Sequence, residues 1–105
     1  MILYNVTINI DHEVHDEWLI WMKEDHIPKV MATGRFVESR MGKVLAQDQG
    51  GVTYSIQYLA PDMESYHRYV HQEAPALQAE HSERYKDRFV AFRTIIEVVY
   101  THGQS

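Results

Sequence analysis

Two segments of the chain, residues 4–10 and residues 52–58, alternate strictly between apolar and polar side chains. Successive side chains of a strand point to opposite faces, so each segment predicts a strand with one apolar face and one polar face. The polar positions carry no charge: Asn5, Thr7, Asn9, Thr53, Ser55 and Gln57. A neutral polar face of this kind is typical of a surface that is covered, because a solvated face more often carries Lys and Glu.

Each of these segments is followed by residues whose apolar positions have the spacing of an amphipathic helix. Asp11 can cap a helix that begins near His12, is disturbed at Pro28 and ends at Gly34. Apolar residues at spacings of four, seven and eight positions give this helix one buried face: Val14, Trp18, Trp21 and Met22.

A second helix is predicted from Pro61-Asp62 to Tyr85, with an interruption at Pro75. Its predicted inward positions are Met63, Tyr66, Val70 and Leu77.

The remaining segments complete a four-stranded pattern. Strands are predicted at 35–46, 52–60 and 89–100, and the first two form a hairpin through the turn Asp48-Gln49-Gly50-Gly51. In the last strand Phe92, Ile96 and Val98 lie on one face, and Arg93 and Glu97 on the other. The order βαββαβ predicts a ferredoxin-like α+β fold, in which two helices cover one face of a four-stranded antiparallel sheet. Residues 1–100 form a single domain in this interpretation, and residues 101–105 a flexible tail.

Composition narrows the function classes. With 105 residues and a formal net charge of −5, the chain lacks the basic character that phosphate neutralisation requires, so a nucleic-acid partner is not expected. Its apolar runs are much shorter than the roughly 20 residues that span a bilayer, so a membrane partner is not expected either. The sequence has no Cys, which excludes disulfides and thiolate catalysis. The first residues have the pattern of a strand and not that of a secretory signal, so a cytoplasmic location is expected.

The polar sheet face predicts a homodimer. In a ferredoxin-like sheet the first and third strands are central neighbours, so their neutral side chains would meet those of a second copy. The predicted dimer interior consists of Asn5, Thr7, Asn9, Thr53, Ser55, Gln57 and Arg93. A solvated open face remains the alternative, since antiparallel sheets commonly expose one side.

Three segments carry a resemblance to known proteins: VHDEWLIWMKEDHIPKVMATGRF from Val14, GGVTYSIQY ending at Tyr58, and FVAFRTIIEVV from Phe89. The chain resembles a bacterial family of small proteins known as a domain of unknown function, which implies no particular reaction. More distantly, it is similar to the dimeric α/β-barrel superfamily, in which two ferredoxin-like subunits place their sheets face to face. That superfamily includes cofactor-free monooxygenases, haem-degrading enzymes, lactone isomerases and chlorite dismutases.

Candidate ligand-binding residues cluster near the predicted bend of the first helix: Trp21, His26 and Tyr54. His26 could serve a ligand, or be an axial ligand of haem, or cap local carbonyls. His67 and His71 share a helical spacing that suits a metal, but the expected register turns them to solvent, so neither a metal site nor a cofactor is predicted. Arg93 is expected to pair with Glu97, and to bind an anion where Glu97 is otherwise engaged.

Two hypotheses on function remain open. The first is a homodimeric binding or interaction module without catalysis. The second is a cofactor-free monooxygenase or isomerase, or a haem-binding protein, that acts on a small aromatic molecule. The second requires a cavity of roughly 300 Å³ or more.

Overall fold

The fold is described by a computed structural model for residues 1–46 and 50–103. Its four strands form one antiparallel sheet with the order β2-β3-β1-β4: β1 (Ile2–Ile10), β2 (Glu38–Lys43), β3 (Val52–Ala60) and β4 (Phe89–Glu97). Helices cover one face, and the other face is open. The ferredoxin-like βαββαβ prediction is confirmed, with β1 and β3 at the centre.

Two helical rods make up the covering layer. A 3₁₀ turn (His12–Val14) leads into the first rod, which consists of α1 (His15–Trp21), a π-helical turn (Met22–His26) and α2 (Ile27–Ala32). The second rod consists of α3 (Met63–Arg68), a π-helical turn (Tyr69–Glu73) and α4 (Ala74–Arg84). Each rod therefore contains one π turn between two α-helical segments.

The prolines interrupt neither rod. Pro28 and Pro75 each lie in the first positions of the α-helical segment that follows a π turn. The missing N–H of proline is tolerated at a helix start, where its fixed φ also suits the helix. The predicted breaks are therefore changes of helical hydrogen bonding, and the rods continue through them.

The predicted starts of the two helices differ in their capping. The start predicted at Pro61-Asp62 is confirmed, and Asp62 caps α3 there, since its carboxylate accepts a hydrogen bond of 2.8 Å from the backbone N–H of Ser65. The cap predicted at Asp11 is wrong: its side chain makes no capping bond and instead accepts one from Arg88 Nε at 2.9 Å. Gly34, with φ +77°, ends the first rod in the left-handed region that favours glycine.

Two of the predicted strands, at 35–46 and 89–100, are shorter in the structure. β2 pairs with β3 only from Glu38 to Lys43, and β4 loses its partner after Glu97, which lies opposite Ile2 near the start of β1. β3 has the predicted bounds. Of the predicted hairpin turn, Asp48 and Gln49 lie outside the described residues, while Gly50 has a φ of +89°. Residues 101–103 are exposed and have no regular structure.

The core lies between the rods and the apolar face of the sheet. Three residues of the predicted inward face of the first rod are buried, Trp18, Trp21 and Met22, and the fourth, Val14 in the preceding 3₁₀ turn, is partly buried. In the second rod the buried residues are Tyr69, Ala74 and His81. The predicted inward residue Met63 is 42% exposed, and Tyr66, Val70 and Leu77 are only partly buried. Each α-helical residue turns by about 100°, so the extra residue of a π turn moves the buried stripe.

Candidate functional site

A cavity of about 40 Å³ lies between the rods and the sheet. It has room for about three water molecules, since one water needs roughly 10 to 15 Å³ by this measure. Three strands and both rods line it: Tyr4, Val6, Ile8, Met22, His26, Ile56, Tyr58, Tyr69, Gln78, His81, Phe89, Ala91 and Arg93. Most of the wall is apolar, so its few polar groups would orient a ligand.

Both π turns contribute to this wall. Met22 and His26 are the first and last residues of the π turn in the first rod, and Tyr69 begins the π turn in the second. π turns are rare and are frequently found at functional sites, where they redirect side chains. The cavity thus lies where both rods depart from α-helical geometry.

His26 is the one predicted ligand-binding residue that lines the cavity. Its ring stacks on Trp21 with 5.0 Å between centroids, and its Nδ1 is buried without a hydrogen-bond partner in the described part of the chain. Burial lowers the pKa of His26, although the carboxylates of Glu80 and Asp25 act in the opposite direction. The imidazole is therefore neutral at pH 7, and Nδ1 is a hydrogen-bonding position that remains to be filled.

The sequence analysis missed His81, which is the second imidazole of the cavity. It is 6% exposed, and its Nε2 lies 3.0 Å from the indole Nε1 of Trp18. Burial, together with His26 and Arg93 nearby, lowers the pKa of His81 to about 4. The signal was present in the sequence, because Leu77, His81 and Tyr85 are four residues apart and share one helix face.

Trp18 also fixes the tautomer of His81. An indole N–H can only donate, so Nε2 of the neutral ring must accept and Nδ1 must carry the proton. No other hydrogen bond of His81 is present among residues 1–46 and 50–103. The ring of His81 lines the cavity, and its Nδ1–H donor has no partner in the described part of the chain.

Arg93 lies on the opposite face from the one predicted. It pairs with Val6, whose side chain is in the core, so Arg93 is on the helix-covered face and not with the neutral residues of the open face. Its Nε donates to the hydroxyl of Tyr4 at 3.0 Å. The predicted ion pair with Glu97 is wrong within the described residues, where no carboxylate lies within 4.0 Å of Arg93.

Trp21 and Tyr54 are near the cavity but do not line it. Trp21 packs against His26 and His81, with 5.7 Å between the centroids of the indole and His81 rings. The Tyr54 hydroxyl lies 2.7 Å from His15 Nε2, and its ring lies 5.2 Å from that of Trp18. The structure thus groups Trp21 with His26 and places Tyr54 in a separate contact with the start of α1.

The open sheet face carries a hydrogen-bonded row of neutral side chains. Ser55 donates to Asn5 at 2.6 Å, and Asn9 donates to Thr53 at 3.0 Å, so two of these bonds join β1 to β3. Thr7 accepts from Asn5 within β1, and Gln57 donates to Ser55 within β3 at 3.4 Å. An apolar border flanks the row on β4: Val90, Phe92 and Ile96, with exposures of 70%, 62% and 41%.

The described residues include no group of three or more His, Cys, Asp or Glu side chains that could hold a metal ion. His67 and His71 are exposed, with 6.4 Å between their ring centroids. Among residues 1–46 and 50–103, no helix is long and apolar enough to cross a membrane.

Solved structures share this architecture at low sequence identity. A dimeric ferredoxin-like protein from an uncultured marine organism gives a TM-score of 0.72 at 16% identity, with 98% of each chain covered. SnoaB, a cofactor-independent oxygenase from Streptomyces nogalater crystallised as a mutant, gives 0.69 at 9% identity and covers 98% of this chain and 97% of its own. A mutant of MhuD with two manganese protoporphyrin IX bound per active site gives 0.69 at 16% identity, covering 99% of this chain and 100% of its own. At these identities the likeness shows the fold alone.

No curated protein matches the chain in sequence. Residues 1–99, however, match the family described as Domain of unknown function (DUF4286). The match covers every strand and both rods. The chain therefore belongs to the DUF4286 family.

Proposed function

We propose that the chain forms a homodimer through its open sheet face, and that each subunit binds a small organic molecule in the cavity between rods and sheet. Catalysis is not part of this first proposal. The observation that carries it is His26, a residue of the wall of a largely apolar cavity, whose buried Nδ1 has no partner in the described part of the chain.

An unfilled polar position of this kind costs free energy. Leaving a buried donor or acceptor unsatisfied costs about 1 to 3 kcal/mol, and most buried polar groups in folded proteins have a partner. A ligand oxygen or nitrogen at Nδ1 would recover that cost. The apolar wall around it, formed in part by Val6, Ile8 and Ala91, would contact the rest of the ligand.

The size of the cavity sets the size of the ligand. About 40 Å³ is well below the roughly 150 Å³ of an apolar cavity that binds benzene, and below the roughly 300 Å³ of common ligand pockets. A ligand of a few heavy atoms fits directly. A single aromatic ring requires movement of a side chain in the wall, for which the exposed Arg93 and the flexible thioether of Met22 are suited.

A second candidate is cofactor-free catalysis, favoured by the same imidazole; it requires the cavity to open from about 40 Å³ to the roughly 300 Å³ expected for such an enzyme. A neutral His26 in a largely apolar cavity has the properties of a general base that removes a proton from a bound substrate. The described cavity wall has no Ser, Thr, Lys, Asp or Glu, so covalent catalysis by such a nucleophile is not supported. Turnover of a ligand that binds would favour this candidate, and unchanged ligand after prolonged incubation would favour simple binding.

Binding can be tested by amide NMR with a panel of molecules of four to ten heavy atoms. We expect the panel to include compounds that shift the amide signals of the cavity residues in the wild type. His26→Gln should weaken their binding, whereas His67→Gln, a control on the exposed side of α3, should not. A panel in which no compound shifts cavity signals would refute the proposed ligand site.

The dimer is supported by the chemistry of the open face. Its centre is uncharged and internally hydrogen-bonded, and its β4 border exposes Phe92 and Val90. Such a face loses little on desolvation and gains from apolar contact with a second copy. The ferredoxin-like neighbour from an uncultured marine organism is itself described as dimeric, which is consistent with this assembly.

Analytical ultracentrifugation tests the dimer directly. We expect the wild type to sediment as two 12.4 kDa chains, and Thr7→Lys combined with Ser55→Lys to sediment as one, because unpaired like charges would be buried across the interface. His67→Lys adds a charge on the helical side and should leave the dimer intact. A monomeric wild type at tens of micromolar would contradict the proposal.

A further inference from the structure

The charge balance of the cavity points to the class of its ligand. Arg93 is the charged residue among those that line it, and no carboxylate belongs to the described wall. Four of the five other arginines form ion pairs: Arg35 with Glu73, Arg40 with Glu38, Arg68 with Glu64, and Arg88 with Asp11 and Glu13. The fifth, Arg84, donates to the hydroxyl of Tyr85 outside the cavity. Arg93 instead uses one N–H to reach the neutral hydroxyl of Tyr4. The rest of its guanidinium is available to an anion.

A second donor belongs to the same wall. Because Trp18 occupies Nε2 of His81, the neutral imidazole carries its proton on Nδ1, and no protein acceptor for that proton is present in the described chain. Arg93 lies close enough to contribute to the low pKa of His81, so a second positive charge at this point is disfavoured. The cavity wall therefore includes two side chains, Arg93 and His81, whose N–H donors face no carboxylate of that wall.

We infer that the ligand is a small organic anion, with a carboxylate or an ionised enol or phenol, whose oxygens bind the guanidinium of Arg93 and the Nδ1–H of His81. This inference rests on the proposed ligand site and names its ligand class. An anion would neutralise the one charge of the wall and accept from both donors. Charge-assisted hydrogen bonds to a guanidinium are about twice as strong as neutral ones, so they would dominate the selectivity for such a ligand.

Matched acids and amides test the inference, because they have nearly the same shape and differ in charge. Propionate with propionamide, and benzoate with benzamide, would be titrated at constant ionic strength and pH 7 while amide NMR signals of cavity residues are followed. We expect each acid to bind wild-type protein at least about tenfold more tightly than its amide. Arg93→Gln should abolish this preference. Arg68→Gln, which removes the same charge from α3 on the helical side, should retain it.

The outcomes separate this inference from the proposed function. If acid and amide bind the cavity equally, or if Arg93→Gln retains the preference, the anion assignment is wrong while the ligand site stands. If neither acid nor amide shifts cavity signals, and no member of the wider panel does, both proposals are wrong. Should Arg93→Gln fail to fold, the wild-type comparison still decides, and Arg93→Lys, which keeps the charge, should keep the preference for the acid.

Discussion

Protonation of His81 should destabilise the protein in mild acid. The folded protein holds the pKa of His81 at about 4 because the ring is buried and because Arg93 and His26 are nearby, whereas the unfolded chain has the ordinary value of 6.5. Between those pH values the unfolded state binds more protons than the folded state, so stability falls as the pH is lowered. Above pH 6.5 the ring is neutral in both states and this contribution is constant.

The size of the effect follows from the same two values. Linkage gives a loss of about 2 kcal/mol at pH 5 relative to pH 8, and about 3 kcal/mol at pH 4. Little solvent screening is expected, since His81 is only 6% exposed. A loss of this size is a large part of the 5 to 15 kcal/mol that typically stabilises a folded domain.

Urea unfolding of the wild type and of His81→Gln from pH 8 to pH 5, at one protein concentration, isolates this contribution. The amide oxygen of Gln can still accept from Trp18, and the side chain does not titrate. Between pH 8 and pH 5 we expect the wild type to lose about 2 kcal/mol more unfolding free energy than His81→Gln loses. His67→Gln, an exposed control, should follow the wild type. Parallel curves for the wild type and His81→Gln would refute the reasoning.

Three further measurements address particular contacts. Trp18→Phe leaves Nε2 of the buried His81 without its hydrogen-bond donor, so it should lower the unfolding free energy in urea by about 2 to 4 kcal/mol. Imidazole ¹⁵N spectra should also show a change of the His81 tautomer, and an unchanged tautomer would contradict its assignment to Trp18. Gly51→Ala places a Cβ 2.7 Å from a backbone oxygen of β1, so it should lower the unfolding free energy by about 1 to 3 kcal/mol. Gly42→Ala, whose Cβ would meet nothing within 4 Å, should lower it much less, and equal effects would show that the contact at Gly51 relaxes. Haem titration should produce no axial-ligation shift in the absorption band, because the cavity is about 40 Å³ and His26 is stacked on an indole; a shift that disappears in His26→Gln would contradict this.

The strict alternation of β1 and β3 was enough to predict the sheet, because both central strands have one buried face. β4 has no such contrast: Ile95 on the helix side and Ile96 on the open side are 40% and 41% exposed. An edge strand that the rods cover only partly can expose apolar side chains on both faces and place an arginine toward the core. The face that carries Arg93 follows only from the register of β4 against β1, and no pattern within β4 specifies that register.

The π turns limited the prediction of the cavity in a different way. Sequence periodicity assumes 3.6 residues per turn, so it located the buried face of α1 but shifted the buried face of the second rod. Tyr69, which lines the cavity, stands between the predicted inward positions Tyr66 and Val70. Pro28 and Pro75 marked both irregular points correctly, but a proline does not tell whether a helix stops or changes its hydrogen bonding there.

The alternation of β4 makes the two halves of the proposed function independent. Phe92 points to the open face and the adjacent Arg93 to the cavity, so a single strand contributes to both without sharing a side chain. Charges introduced at Thr7 and Ser55 therefore test the dimer while the residues of the cavity wall stay unchanged. Loss of the acid preference in Arg93→Gln, with two chains still present in sedimentation, would locate anion binding within each subunit. Loss of binding together with the dimer in the lysine variant would instead show that the cavity depends on contact between subunits.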